Sequence, residues 1–279
     1  MSYGLSAVTY LALSFLICWV GKAAYGVFHP GVRVDREMTA RDNLAFAVPL
    51  GAYYLGILIV MGAPLSGQPR GDLWRDAVSV AGWGLLAMVL LNVASLLNRR
   101  LIFGGVDLFR EILERNNVAA GILVAASHVA NALLILGALA DEGGLLPAAA
   151  FWLYAQLLLT VAVLGFLRLV GYDLAAEAAR GNQAVALAVG GLLVATANIL
   201  RMSISGPFEG WSAGFAASTG YAVAGLVLLF VVRQLTDWLL LPGVTIRQEV
   251  LEQEVPNVGV GYLEALFYLG ASLLVGWSL

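Results

Sequence analysis

Ionisable and polar side chains interrupt several long apolar stretches of this sequence. Glu264 lies seven residues after Asn257, which is about 10 Å into a helix that begins there. His128 lies eleven residues after Asn117, about 16 Å along its helix, and Asn131 follows on the same helical face. A charged or titratable group among apolar residues is costly unless it is paired or hydrated, so these side chains are functional candidates.

Two kinds of role are open for these side chains. Asn198 and Arg201 form a second polar pair at i,i+3 spacing. A polar route for a small solute or cation could be lined by Glu264, His128, Asn131, Asn198 and Arg201. His128 could also relay protons, because the pKa of imidazole is tunable around neutrality. Taken singly, such side chains are more often hydrogen-bond partners between helices, each worth about 0.6 kcal/mol.

The sequence contains no pattern typical of an enzyme or a metal site. It has no GxxxxGK[ST] phosphate loop, no GxSxG elbow and no HExxH pair. His29 and His128 lie in different apolar segments, without cysteines or carboxylates at ligand spacing. We therefore expect no enzymatic activity, no catalytic residue, no metal or other cofactor, and no nucleic-acid partner.

The elements that must hold the polar side chains are transmembrane helices. Of the 279 residues, 61% are hydrophobic and only 12% are charged, so lipid is the expected solvent. Lipid offers no partner for backbone N–H and C=O groups, and alternating barrel segments do not occur, which leaves helices. Eight stretches are long enough to cross a membrane, roughly 5–28, 43–63, 77–98, 117–140, 145–170, 183–203, 211–239 and 257–278.

Basic residues are distributed unevenly over the connections between these spans. Twelve of the 15 lie at one set of span ends, and the opposite set holds only Arg70, Arg75 and Arg201. The positive-inside rule places the first set in the cytoplasm and both termini in the periplasm. Because 14 of the 15 basic residues are arginine, the coding genome is expected to be GC-rich and bacterial, which predicts an inner-membrane location.

One motif recurs at the end of each odd-numbered span. It consists of glycine, an apolar residue, a variable residue, an aliphatic residue, two variable residues and glutamate, and an asparagine then opens the next span. The glycines are 74, 66 and 72 residues apart, which argues against coincidence. The motif residues are Gly31, Glu37 and Asn43, then Gly105, Glu111 and Asn117, then Gly171, Glu177 and Asn182, and finally Gly243, Glu249 and Asn257.

Each part of the motif has a predicted structural role. The glycine ends a span in a left-handed conformation, and the asparagine caps the returning span. Asp107, Asp173 and Thr245 are expected to cap a short interfacial helix, with Asp35 serving in the first copy. In the second copy, an apolar face that begins at Leu108 lies opposite the charged residues Arg110, Glu111 and Glu114.

The charged residues near these segments allow two interpretations. The four motif glutamates could form an acidic ring that attracts cations, if the repeats close around an axis. The favoured interpretation is that they balance nearby arginines or complete helix ends, because exposed interfacial charges cost little. Arg233 and Asp237, at i,i+4 spacing, are expected to form a local salt bridge.

The predicted fold is therefore an all-α polytopic membrane protein. Its eight transmembrane helices form four parallel repeats of span, interfacial helix and span, roughly 5–63, 77–140, 145–203 and 211–279, in one membrane domain over 1–279. A pseudo-fourfold ring and a pair of pseudo-twofold halves are both compatible with this. Small residues at four-residue spacing, such as Gly121 and Ala125, permit close helix contacts inside the bundle or in a homo-oligomer.

The segments Val106-Asp-Leu-Phe-Arg-Glu-Ile112 and Asn117-Val-Ala-Ala120 resemble the signature of the YjfL-like bacterial membrane family, a domain of unknown function. The resemblance covers essentially the whole chain, although the first copy departs from it at Arg33 and the fourth at Thr245 and Gly259. It implies a bacterial inner-membrane location and, in some relatives, neighbourhood with envelope-stress and polyamine-related genes. It implies no established activity.

Two functions are consistent with these features. The first is a transporter or channel for a small solute or cation, through the polar route described above. The second is a non-transporting scaffold in the envelope stress response, which would recruit a cytoplasmic or membrane partner through the repeated interfacial segments. Membrane lipids are expected partners in either case. A hydrated cavity that touches Glu264 and His128 would favour transport, and a dry bundle would favour the scaffold.

Overall fold

A computed structural model describes residues 3–66, 73–140, 144–205, 208, 210–241 and 243–278. Eight of its helices are long and apolar enough to cross a membrane, which confirms the predicted all-α membrane fold. The spans are α1 (Tyr3–Phe28), α2 (Leu44–Ser66), α3 (Leu73–Leu101), α5 (Val118–Leu139), α6 (Leu145–Val170), α8 (Gln183–Ile204), α9 (Trp211–Leu240) and α10 (Val258–Ser278), with the short helices α4 (Leu108–Arg115) and α7 (Leu174–Arg180) between them.

Each repeat contains two spans joined by one short helical segment on the same side of the bundle, which we call the motif side. Units 1 to 4 are α1 with α2, α3 with α5, α6 with α8, and α9 with α10. The segment is the α-helix α4 or α7 in the middle units. In the outer units it is a π-helical turn, Arg36–Ala40 in unit 1 and Gln248–Glu252 in unit 4.

The N-caps of these segments were predicted correctly in three units. The side chains of Asp107, Asp173 and Thr245 accept backbone N–H groups three residues later, at 3.3, 3.0 and 3.2 Å. The prediction for Asp35 was wrong, since its carboxylate makes no capping bond and lies 2.5 Å from Lys22 Nζ instead. A capping residue needs a non-helical backbone, whereas Asp35 already has helical torsions of φ −61° and ψ −41°.

The motif glycine adopts the predicted left-handed conformation in three units. The φ angles are +91° at Gly31, +74° at Gly171 and +86° at Gly243. Gly105 is the exception and has no positive φ. A β-carbon added at Gly105 would lie only 2.7 Å from Cβ of Ala175, so glycine is needed there because the neighbouring unit approaches closely.

The spans form two rows. The second spans of the units, α2, α5, α8 and α10, pack side by side in chain order. The first spans, α1, α3, α6 and α9, form a second row against them, and each also contacts its neighbours. In the most apolar segment of each helix, 83% of α8 and 67% of α5 is buried, against 50% of α2 and 33% of α10, because α2 and α10 stand at the ends of the row.

The row of second spans is open. Within the described residues, no interface comparable to those inside the row joins α10 back to α2. The four motif glutamates therefore follow the row from unit 1 to unit 4 and do not enclose a ring.

Glycines allow the closest contacts in the row. A β-carbon at Gly121 would lie 2.4 Å from the carbonyl oxygen of Ala45, and one at Gly261 would lie 2.2 Å from that of Ala184. These helices touch through their backbones, as small residues permit in membranes. The glycines of α9 differ, since Gly214 meets the ring of Phe151 whereas Gly220 faces open space.

Candidate functional site

The motif glutamate and asparagine form the same hydrogen-bonded pair in all four units, which we call the motif clamp. Asparagine Nδ2 donates to glutamate Oε2 at 3.0 Å in Asn43–Glu37, 3.1 Å in Asn117–Glu111, 2.6 Å in Asn182–Glu177 and 2.7 Å in Asn257–Glu249. The Oδ1 atom of each asparagine accepts the backbone N–H three residues later, at 3.1 to 3.3 Å. The asparagines are therefore helix caps, as predicted.

The second amide hydrogen of the asparagine joins one unit to the next. Its acceptor is the carbonyl of the residue that follows the motif glutamate in the next unit. The bonds are Asn43 to Ile112 at 3.0 Å, Asn117 to Ala178 at 2.7 Å, and Asn182 to Val250 at 2.8 Å. One side chain thus caps a span, binds a carboxylate and links two repeats.

The carboxylates of the motif glutamates bind a second side chain besides the asparagine. Glu37 and Glu111 are buried, and arginines bind the first three carboxylates: Arg41 at 3.2 Å, Arg115 at 3.1 Å and Arg180 at 3.3 Å. In unit 4, Gln253 replaces the arginine and donates to Glu249 Oε1 at 2.7 Å. The expectation that Glu111 lies on the polar face of α4 was wrong, because its carboxylate turns inward to Asn117.

Replacing Asn182 with alanine tests the clamp. The variant loses a helix cap, worth about 1 kcal/mol, and leaves the carbonyl of Val250 without its donor, which costs about 1–3 kcal/mol. Asn257→Ala is the matched control, since only one of its amide hydrogens has a partner within the described residues. Thermal unfolding of the detergent-solubilised monomer should therefore show the larger loss for Asn182→Ala, and equal losses would contradict the inter-unit role.

A buried ion pair joins α9 to α10. Arg233 donates through Nη1 to Glu264 Oε1 and, at 3.0 Å, to the hydroxyl of Tyr172. Tyr268 donates its hydroxyl to the same carboxylate oxygen at 2.5 Å. Arg233 and Glu264 are 4% and 1% exposed, so both charges are withdrawn from solvent. Burial, followed by the charge of Glu264, raises the pKa of Tyr172, which therefore stays protonated.

The predicted salt bridge between Arg233 and Asp237 was wrong. Arg233 turns into the bundle toward Glu264, whose buried carboxylate needs a cation. Asp237 instead accepts the backbone N–H of Ile246 at 2.6 Å and so fastens the loop after α9.

A cluster of aromatic and histidine side chains lies in units 1 and 2. The ring centroids of Tyr53 and His128 are 5.5 Å apart, and those of Tyr25 and His29 are 4.4 Å apart. Asn92 donates to the Tyr53 hydroxyl at 2.9 Å. Among the residues the structure describes, neither ring nitrogen of His128 nor the Tyr25 hydroxyl has a hydrogen-bond partner.

The protonation of His29 makes the stability of this cluster depend on pH. Burial, and next the charge of Arg99, lower its pKa from 6.5 to about 4, so the fold favours the neutral imidazole. The resulting stabilisation is complete above pH 6.5 and is lost as the pH falls toward 4, by at most about 3 kcal/mol. Between pH 6.5 and pH 4, the wild type should lose more thermal stability than His29→Phe does. Identical pH profiles of the two proteins would contradict the role of His29.

A third buried cluster connects units 2 and 3. Asn131 Oδ1 accepts from Asn98 Nδ2 at 3.1 Å and from Gln156 Nε2 at 2.9 Å, and Asn98 also donates to Ser127 Oγ at 3.1 Å. The sequence pointed to Asn131 but missed Asn98 as its partner. Such amide contacts hold neighbouring membrane helices together.

A fourth cluster joins α8 to α10. Asn198 Nδ2 donates to Ser272 Oγ at 3.3 Å, and Arg201 Nε donates to Asn198 Oδ1 at 3.2 Å. Of the five residues predicted to line a route, only Asn198 and Arg201 are thus brought together. Glu264, His128 and Asn131 each lie in a different cluster, and the route stays a prediction.

Several residues of these clusters were not predicted from the sequence. Tyr268 follows Glu264 by four positions, and this spacing on one helix could have predicted the contact. Arg233 comes from another helix than Glu264, and its local i,i+4 spacing pointed to Asp237 instead. Tyr53 also lies on another helix than its partner Asn92, and no local pattern pointed to it.

A cavity of about 290 Å³ lies between α3, α5 and α6. Its lining is apolar and includes Leu86, Leu90, Ile135 and Trp152. Neither Glu264 nor His128 contributes to it. This cavity therefore does not connect the polar clusters.

The sequence of this chain is similar to that of known membrane proteins. A family described as Domain of Unknown Function (DUF350) matches residues 1–139 and again residues 142–279, and the boundary falls between α5 and α6. A relative described as UPF0719 transmembrane protein, from Aquifex aeolicus (strain VF5), is 28% identical over 100 residues. That alignment covers 36% of this chain and 37% of the relative. No solved structure matches the chain.

Proposed function

Because the chain belongs to the family described as Domain of Unknown Function (DUF350), whose name states no activity, we propose a role from the geometry of the chain itself. The protein is a non-transporting membrane scaffold that recruits a protein partner on its motif side. The observation that carries this proposal is the separation of the buried polar side chains into clusters that no described hydrogen bond connects. Glu264 and His128 are 1% and 0% exposed, whereas a route for a solute needs continuous hydrated contact.

The surface of the motif side indicates the chemistry of the partner. Its four motif glutamates are occupied in the motif clamps, and Glu114 and Glu252 pair with Arg110 and Arg247 at 3.0 and 3.2 Å, so these carboxylates offer little free negative charge. Exposed arginines lie at Arg36, Arg100 and Arg168, and Arg110 is exposed beside Glu114. A partner with an acidic surface fits this distribution, because complementary charges speed association and favour the correct partner.

Reconstitution tests the absence of transport. Proteoliposomes containing the purified protein should conduct protons and K⁺ no faster than protein-free vesicles, because no described hydrogen bond connects one buried polar cluster to the next. A flux that rises with the amount of protein would overturn the scaffold proposal.

Affinity capture tests the recruitment. The double variant Arg100→Glu/Arg110→Glu should lose the partner that the wild type retains, because it reverses two exposed positive charges. Glu254→Lys changes an exposed charge on the same side and should retain it. A set of bound proteins that is unchanged in the arginine variant would argue against recruitment through this surface.

Transport is the second candidate function, and one observation favours it. Both ring nitrogens of His128 and the Oε2 atom of Glu264 lack hydrogen-bond partners within the described residues, although buried polar atoms are usually satisfied. Bound water or a moving proton would supply the missing partners. If the wild type conducts protons or K⁺ in proteoliposomes and both Glu264→Gln and His128→Ala abolish this flux, transport becomes the proposed function in place of the scaffold.

We place the motif side in the cytoplasm of a bacterium and both termini in the periplasm. The excess of arginine at this end of the bundle supports that orientation. Single cysteines introduced at Arg110 and Arg180, with Cys18 replaced by serine, should resist membrane-impermeant maleimide in intact cells and react in inverted vesicles. Labelling of either cysteine in intact cells would show that the motif side faces the periplasm.

A further inference from the structure

The three interfaces between neighbouring units follow one register. Each unit offers a donor edge, which contains the second amide hydrogen of its motif asparagine. Each also offers an acceptor edge, which contains the carbonyl that follows its motif glutamate. These edges meet three times along the row, at 3.0, 2.7 and 2.8 Å between Nδ2 and O.

Small residues allow these edges to meet. In two of the three interfaces, the residue four positions after the motif asparagine of one unit packs against the residue two positions after the motif asparagine of the unit before it. Gly121 meets Ala45 in this way, and Gly261 meets Ala184. The corresponding pair between units 2 and 3 is Ala119 and Ala186, both buried.

The two ends of the row keep one edge each. Asn257 is exposed, and within the described residues only one of its amide hydrogens has a partner, Glu249. Gly259, two residues later, is exposed as well. At the other end, the carbonyl after the motif glutamate belongs to Met38, an exposed residue, and Ala47 occupies the small-residue position of α2.

We infer that a second copy of this chain continues the row, with its α2 packed on α10 of the first copy. Asn257 of one copy then donates to the carbonyl of Met38 in the next, and Gly259 packs on Ala47. The two ends present the same donor, acceptor and small-residue positions that form the internal interfaces. This association goes beyond the proposed recruitment on the motif side and does not depend on it.

The membrane orientation is compatible with this interface. All four units point the same way across the bilayer, so an added copy keeps that orientation. Exposed apolar side chains lie on both helices, including Tyr262 and Leu266 on α10 and Leu55 and Leu58 on α2. Such a head-to-tail interface closes into a ring where the rotation between copies permits it, and otherwise extends as a chain.

Cysteine cross-linking in native membranes tests the register. In a full-length Cys18→Ser background, cells that co-express Ala47→Cys and Gly259→Cys chains should yield a mixed disulfide dimer on oxidation. Neither single variant expressed alone should do so, because the interface is not symmetric. The control pair is Leu169→Cys with Gly259→Cys, which places one cysteine on an exposed residue at the motif end of α6, and it should yield no dimer.

A second experiment measures assembly in lipid nanodiscs by native mass spectrometry. Gly259→Leu should weaken self-association about tenfold or more, because the larger side chain holds α2 of the next copy away from α10. Gly220→Leu, at a helical glycine that has open space, should assemble as the wild type does. A wild type that remains monomeric, together with no Ala47–Gly259 cross-link, would show that lipid covers these edges and would overturn the inference.

Discussion

Replacing Glu264 with leucine should destabilise the protein by about 3–5 kcal/mol, because Arg233 then keeps a buried charge without a partner. The hydroxyl of Tyr268 loses its acceptor in the same step. Unfolding in detergent micelles, followed by tryptophan fluorescence, measures this loss.

The double variant Arg233→Met/Glu264→Leu is the control for this prediction. Replacing a buried ion pair with apolar side chains of similar size is often close to neutral, since it removes both desolvated charges. The double variant should therefore recover most of the stability that the single variant loses. If it is as unstable as Glu264→Leu alone, the loss comes from packing and not from the unpaired arginine.

Replacing Gly261 with valine should destabilise the protein by about 3 kcal/mol, because its β-carbon would meet the backbone of the neighbouring helix. That carbon would lie 2.2 Å from the carbonyl oxygen of Ala184, and a backbone atom cannot turn aside as a side chain can. The yield of monodisperse protein after mild detergent extraction, together with thermal stability, reports the effect.

Gly51→Ala provides the matched control for that substitution. Gly51 is also a glycine within a membrane-spanning helix, and a β-carbon there would meet no atom within 4 Å. We expect this variant to be as stable as the wild type or slightly more so, since alanine has the higher helix propensity. Equal losses at Gly51 and Gly261 would mean that the close contact of α8 with α10 is not what requires glycine.

Much of the fold could be predicted because its causes are local in sequence. Lipid forces each long apolar stretch into a helix, so hydropathy alone located the spans. Capping depends on one side chain and a backbone group three residues away, which is why Asn117 and Asp107 were assigned correctly. The repeat was visible because the same local chemistry occurs in every unit.

The candidate site could be predicted only in part, because its contacts join residues far apart in the chain. Glu264 was recognised as a buried carboxylate, yet its partner Arg233 is on another helix and had been assigned to Asp237. The inward turn of Glu111 follows from its bond to Asn117 and from the packing of α4, neither of which hydrophobic periodicity describes. Whether the row is open or closed depends on which helices contact each other. Because all four units carry the same sequence motif, that motif does not say which units are neighbours.

Cryo-electron microscopy of the protein in lipid nanodiscs tests the arrangement of the units most directly. We predict four parallel units in one row, with Asn43, Asn117 and Asn182 each within hydrogen-bond distance of the carbonyl that follows the next motif glutamate. A single chain whose α10 closes onto its own α2, or asparagine side chains that face a water-filled path, would contradict the account.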